Sequence, residues 1–134
     1  MKTLFTLFVL LFSSSVVASD NLSGKKIVCF KPMSSNDTVY LIGFDFKNLS
    51  EVSVYTETNN DPLVITNMYY KTSTSKIEIK WLNNSWFYKI SRKTLGVENN
   101  YGIDYQSDQC SLVSETIKGV FLKHLKKYKK GNLI

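Results

Sequence analysis

Lys76-Ile77-Glu78-Ile79-Lys80-Trp81, then Leu82-Asn83-Asn84-Ser85, then Trp86-Phe87-Tyr88-Lys89-Ile90: the reading of this stretch decides the fold. Ile77, Ile79 and Trp81 alternate with Lys76, Glu78 and Lys80, which is the period of a strand with one face buried. The Asn-rich four-residue segment suits a hairpin loop, and Trp86 to Ile90 returns as the second strand. Trp81 and Trp86 flank the loop and are expected to face each other across it, on the sides of Ile79 and Ile90. Buried, they form a cross-strand aromatic pair. Exposed, Trp81 and Trp86 make a stacking platform for a sugar ring or a lipid.

The same period extends in both directions from Lys25 to Cys110, with turn residues every eight to twelve positions. Upstream, Lys25 to Lys31 ends at Pro32, and Thr38 to Phe46 places Tyr40, Ile42, Phe44 and Phe46 on one face. Glu51 to Thr58 follows, with Val52 and Val54 together, and Leu63 to Tyr70 comes after the Asn59-Asn60-Asp61-Pro62 breaker. Downstream, Thr94 to Glu98 and Ile103 to Gln106 complete eight segments joined by short turns. An open sheet of that width in so short a chain leaves two bare edges. The expectation is therefore mainly β: a small eight-stranded antiparallel up-and-down barrel, with an open sandwich as the alternative.

The two ends differ from this body. Lys2, the apolar run Leu4 to Phe12 and the small residues Val16-Val17-Ala18-Ser19 have the layout of a secretory signal peptide over residues 1–19. The run is shorter than the ~20 residues a spanning helix needs. Residues 20–134 are then one domain, exported to the periplasm or secreted. Its two cysteines, Cys29 and Cys110, lie 81 positions apart, and an oxidising compartment favours their pairing as a structural staple.

At the C-terminus the period changes to that of a helix, expected over residues 114–130. Ser114 is its expected cap, Glu115 its first-turn acid and Gly131 its stop. Ile117, Val120, Phe121, His124, Leu125 and Tyr128 form one stripe, and Lys123, Lys126, Lys127 and Lys130 lie opposite. From Asp20 to Val113 ten basic residues balance ten acidic ones, whereas Ser114 to Ile134 holds six lysines against Glu115 alone. The whole basic excess therefore lies on this helix. Lys118, Lys123, Lys126, Lys127 and Lys130 are the candidate residues for holding an anionic membrane surface or envelope polymer. Nucleic acid is disfavoured as a partner, because no arginine or aromatic residue is interleaved with them.

Three stretches carry a resemblance: Leu22-Ser23-Gly24-Lys25-Lys26-Ile27-Val28-Cys29-Phe30, Trp86-Phe87-Tyr88-Lys89-Ile90-Ser91-Arg92-Lys93-Thr94-Leu95, and Gln109-Cys110. They resemble small exported bacterial calycin-like β-barrel proteins of uncharacterised function. Those have a cysteine in the first strand, an Arg-x-Thr-Leu hairpin, a second cysteine past the last strand and a lysine-rich tail. The resemblance implies export and a barrel and brings no activity with it. A weaker likeness is to the exported inhibitors of c-type lysozyme. Their loop carries Ser-Gly-x-x-Tyr, where this chain reads Thr66-Asn67-Met68-Tyr69-Tyr70. C-type lysozymes are usually cationic, and a basic tail would be repelled by them.

Motifs for chemistry are missing. A single histidine, His124, rules out HExxH zinc sites, and no G-x-S-x-G, G-x-x-x-x-G-K or G-x-G-x-x-G occurs. His124 reads as a packing residue. Asp45, Glu78 and Asp104 read as solvated strand carboxylates, and Arg92 as a lock on hairpin carbonyls. The sequence points to a monomeric, non-enzymatic binding or envelope protein without a cofactor. The alternatives are a lysozyme-inhibitor-like protein and a carrier of a small apolar ligand inside the barrel.

Overall fold

The computed structural model describes residues 22–33, 38–81, 85–100 and 103–132, the last five of these by backbone alone. The expected signal peptide over residues 1–19 lies outside the described residues. Eight strands follow in chain order: β1 Lys26–Met33, β2 Thr38–Phe46, β3 Glu51–Thr58, β4 Val64–Thr72, β5 Lys76–Lys80, β6 Trp86–Ser91, β7 Val97–Asn99 and β8 Cys110–Val113. A helix, α1, spans Ile117–Asn132. The strands form one antiparallel sheet in the order β7-β6-β5-β4-β3-β2-β1-β8, curled into a half-barrel. This is the mainly β, eight-stranded architecture with a C-terminal helix that the alternation predicts.

Register explains the two faces. Ile27 opposes Phe44, Phe44 opposes Val54, and Cys29 opposes Ile42, so the alternate positions of neighbouring strands share a side. The concave side collects Phe44, Phe46, Val52, Ile79 and Ile90, all nearly inaccessible to water, into one core. Edge-on ring pairs, Phe44 with Tyr88 at 5.4 Å and Phe46 with Tyr70 at 4.9 Å, fill its middle. The convex side carries a second core, in which Val28, Val39 and Leu41 meet Ile117, Phe121 and Leu125 of α1. The helix comes very close at Gly43, where a β-carbon would lie 2.5 Å from Ile117 Cγ2. Glycine at that point lets the helix lie flat on the sheet.

Three local expectations are corrected. The eighth strand is Cys110–Val113, not Ile103 to Gln106. In the latter segment Tyr105 alone bridges to Val97, through two 2.9 Å backbone hydrogen bonds. The chain then turns through a short 3-10 helix, Ser107–Gln109, before Cys110 enters register with Cys29. Pairing with β1 therefore sets this strand, and its own weak alternation does not.

The helix begins at Ile117 and continues through Gly131 to Asn132. Thr116, not Ser114, holds its start: the Gly119 N–H donates to Thr116 Oγ1 at 3.2 Å. A side chain at Gly119 would crowd that hydroxyl. Glu115 stands before the first turn, where Lys123 Nζ donates to its Oε2 at 2.5 Å.

The β5–β6 hairpin also differs from the expected facing of its two tryptophans. The β5–β6 register shifts between Ile79 and Lys80, so Trp86 opposes Lys80 and not Trp81. A bulge of this kind moves one residue to the other face. Phe87 takes the core-side place and sets its ring edge-on to Trp81 at 5.6 Å. The loop residues Leu82 to Asn84 lie outside the described residues.

Candidate functional site

Cys29 and Cys110 form a disulfide, as the compartment argument expects, with their Cα atoms 4.0 Å apart. It joins β1 to β8 on the concave side, and Cys29 is wholly buried. Arg92 plays the expected locking part: its Nη1 donates to the Ser73 carbonyl at 2.8 Å, tying the β6–β7 turn to the β4–β5 turn.

The apolar stripe of α1 packs on the sheet, as the periodicity foresees. Ile117, Phe121 and Leu125 turn into the sheet, and Lys118, Lys123, Lys126 and Lys127 are exposed. Leu122 lies among them, 60% exposed. Lys123 is engaged by Glu115, at an exposed pair of the kind worth at most about 1 kcal/mol. Lys118, Lys126 and Lys127 extend the positive field from the outer face. The side chains of Tyr128 and Lys130 lie outside the described residues. His124 packs its ring on Phe30, with centroids 4.5 Å apart and planes 17° from parallel. Burial, with the charge of Lys127 in second place, holds its pKa below the usual histidine value.

The two tryptophans do not form a facing pair. Trp81 is 38% exposed beside Phe87, and Trp86 lies under the ammonium of Lys89, 4.2 Å from its ring centroid. Trp81 does share an open groove of about 600 Å³ with Leu49, Tyr69 and the stems of Lys71 and Lys80. The groove forms where β4 is staggered: Tyr69 is in register both with Glu51 of β3 and with Lys80 of β5.

The candidate carboxylates are held apart. Asp45 accepts from Lys47 Nζ at 2.9 Å, and Asp104 Oδ1 accepts from the Asn99 N–H at 3.0 Å. Glu78 stands in register between Lys71 and Lys89.

One feature escaped the sequence reading. At one end of the half-barrel a cleft of about 340 Å³ opens between the β2–β3 wall and the β6–β7 wall. Tyr40, Tyr88 and Tyr105 all line it. The inward parity of Tyr40 with Ile42, and of Tyr88 with Ile90, is visible in the sequence. That β2 and β6 face each other, with Tyr105 between, follows only from the curl.

No family model, curated protein or solved structure matches this chain. Among the described residues, no helix is long and apolar enough to cross a membrane.

Proposed function

We propose that this is an exported, non-enzymatic binding protein that adheres to anionic membrane surfaces through the outer face of α1. The observation that carries the reading is the division of labour on that helix. Its apolar stripe is consumed by the sheet, so it is not free to sink into lipid, whereas Lys118, Lys126 and Lys127 project outward around Leu122. Such a face binds by electrostatics, with about 1 kcal/mol contributed by each lysine near an anionic surface. The disulfide supports an oxidising compartment, periplasmic or extracellular. The neutral balance of the chain from Asp20 to Val113 leaves the helix as the pole of the charge distribution.

Cosedimentation with phosphatidylglycerol-containing vesicles tests this reading. Binding is expected at low salt, with release as ionic strength passes about 0.15 M, where the screening length falls to about 8 Å. Replacing Lys118, Lys126, Lys127 and Lys130 by glutamine, with Lys123 kept for its pair to Glu115, should abolish it. Equal binding by that variant, or equal binding to neutral phosphatidylcholine, overturns the reading.

A further inference from the structure

The tyrosine-lined cleft has a chemistry of its own, independent of the helix. Tyr88 and Tyr105 are more than nine-tenths buried, at 8% and 6% exposure, and Tyr40 is half-buried against the same core. None of the three phenol hydroxyls makes a hydrogen bond to another described residue, yet no fully buried side-chain oxygen or nitrogen among the described residues lacks a partner. The hydroxyl oxygens are therefore not fully buried, and all three residues line the cleft. Folded proteins satisfy nearly all their buried polar groups internally. Three phenols from separate parts of the chain, converging without protein partners, are arranged for something that enters.

We propose that this cleft is a binding site for a small uncharged molecule that presents hydroxyl or carbonyl oxygen on a compact ring. The size follows from the volume, which lies at the low end of small-molecule sites. The ring is accommodated by the apolar side chains of Ile42, Ile103 and Pro62, which share the lining with the phenols. Neutrality follows from the groups around it. Among the described residues no lysine or arginine belongs to the lining, so an anion finds no counter-charge there, and the carboxylate of Asp61 repels it. Asp61 already accepts from Thr58 Oγ1 at 3.1 Å, and a cation would enter at the desolvation cost of its charge. Burial raises the pKa of Tyr88 and of Tyr105, the latter further through its neighbours Tyr88 and Tyr40. Both phenols thus stay protonated at neutral pH, and each can donate one hydrogen bond and accept another.

Titration of the isotope-labelled protein with phenol, followed by NMR, tests the assignment. Saturable shifts are expected at Tyr40, Tyr88, Tyr105 and Ile42. Toluene, benzoate and benzylammonium are each expected to bind at least tenfold more weakly. Tyr88→Phe and Tyr105→Phe keep the ring and remove the hydroxyl, and each should weaken phenol binding about fivefold, as loss of one net hydrogen bond implies. Should either variant lose its dispersed amide spectrum, Tyr40→Phe at the more open position provides the same comparison. Toluene binding as well as phenol, tighter binding of either ion, phenol affinity unchanged in the folded variants, or shifts confined to other surfaces would each overturn the proposal.

Discussion

His124 is the one side chain whose charge changes near neutrality, and its setting dictates the sign of a pH effect. Stacked on Phe30 and beside Lys127, its imidazole is easier to keep neutral in the folded state than in the unfolded chain. A depressed histidine pKa means that the unfolded state binds the proton more readily. Its effect on stability is therefore nil above the unfolded value of about 6.5. It becomes a loss as pH falls through that value, and levels off below the folded pKa. The thermal midpoint is expected to drop between pH 7.5 and pH 5.5. In His124→Phe, which preserves the stack on Phe30 and removes the titration, the profile over that interval should be flatter. A profile of unchanged slope in the variant would assign the pH dependence to other groups. The sequence showed His124 on the buried stripe, but not the aromatic ring it meets, because Phe30 belongs to a strand nearly a hundred positions away.

At the scale of the element, helix α1 shows how a cap is chosen. Ser114, Glu115 and Thr116 offer three polar starts, and local propensity ranks a serine slightly above a threonine. The choice is made by where Ile117 must sit to meet Gly43 and the convex core, which leaves Thr116 immediately before the first turn. Thr116→Ala should cost about 1 kcal/mol in denaturant unfolding, and Ser114→Ala only a few tenths. The reverse ranking would return the cap to Ser114. The β5–β6 hairpin gives the parallel lesson for strands. Alternation from Lys76 to Trp81 is clean, yet one extra residue in the register replaces Trp86 by Phe87 as Trp81's neighbour. A bulge leaves composition untouched, so period counting does not detect it.

For the whole molecule, the half-barrel is tied at its ends rather than closed by a continuous ladder. β8 joins β1, the bridge between Val97 and Tyr105 extends β7, and the Lys31 ammonium donates to the Asp104 carbonyl across the gap at 2.6 Å. The disulfide is the covalent part of that tie, and its 81-residue separation makes its effect on the unfolded chain large. Replacing Cys29 and Cys110 together by alanine should lower unfolding free energy by up to about 4 kcal/mol. A loss below about 1 kcal/mol would shift the closure to the hydrogen bonds and the shared core.

The periodicity, composition and charge of the chain established the secondary-structure periods, the inward faces of β2, β3 and β5, the pairing of the two cysteines, and the confinement of basic charge to the last helix. Each is a local property: a spacing of two or of 3.6, a compartment, a count. Packing across the sheet set the helix on the convex side, started β8 at Cys110 and brought three tyrosines into one cleft. Those outcomes depend on which distant strands the twist and curl of the sheet bring face to face, and a residue's neighbours along the chain carry no record of its neighbours across space.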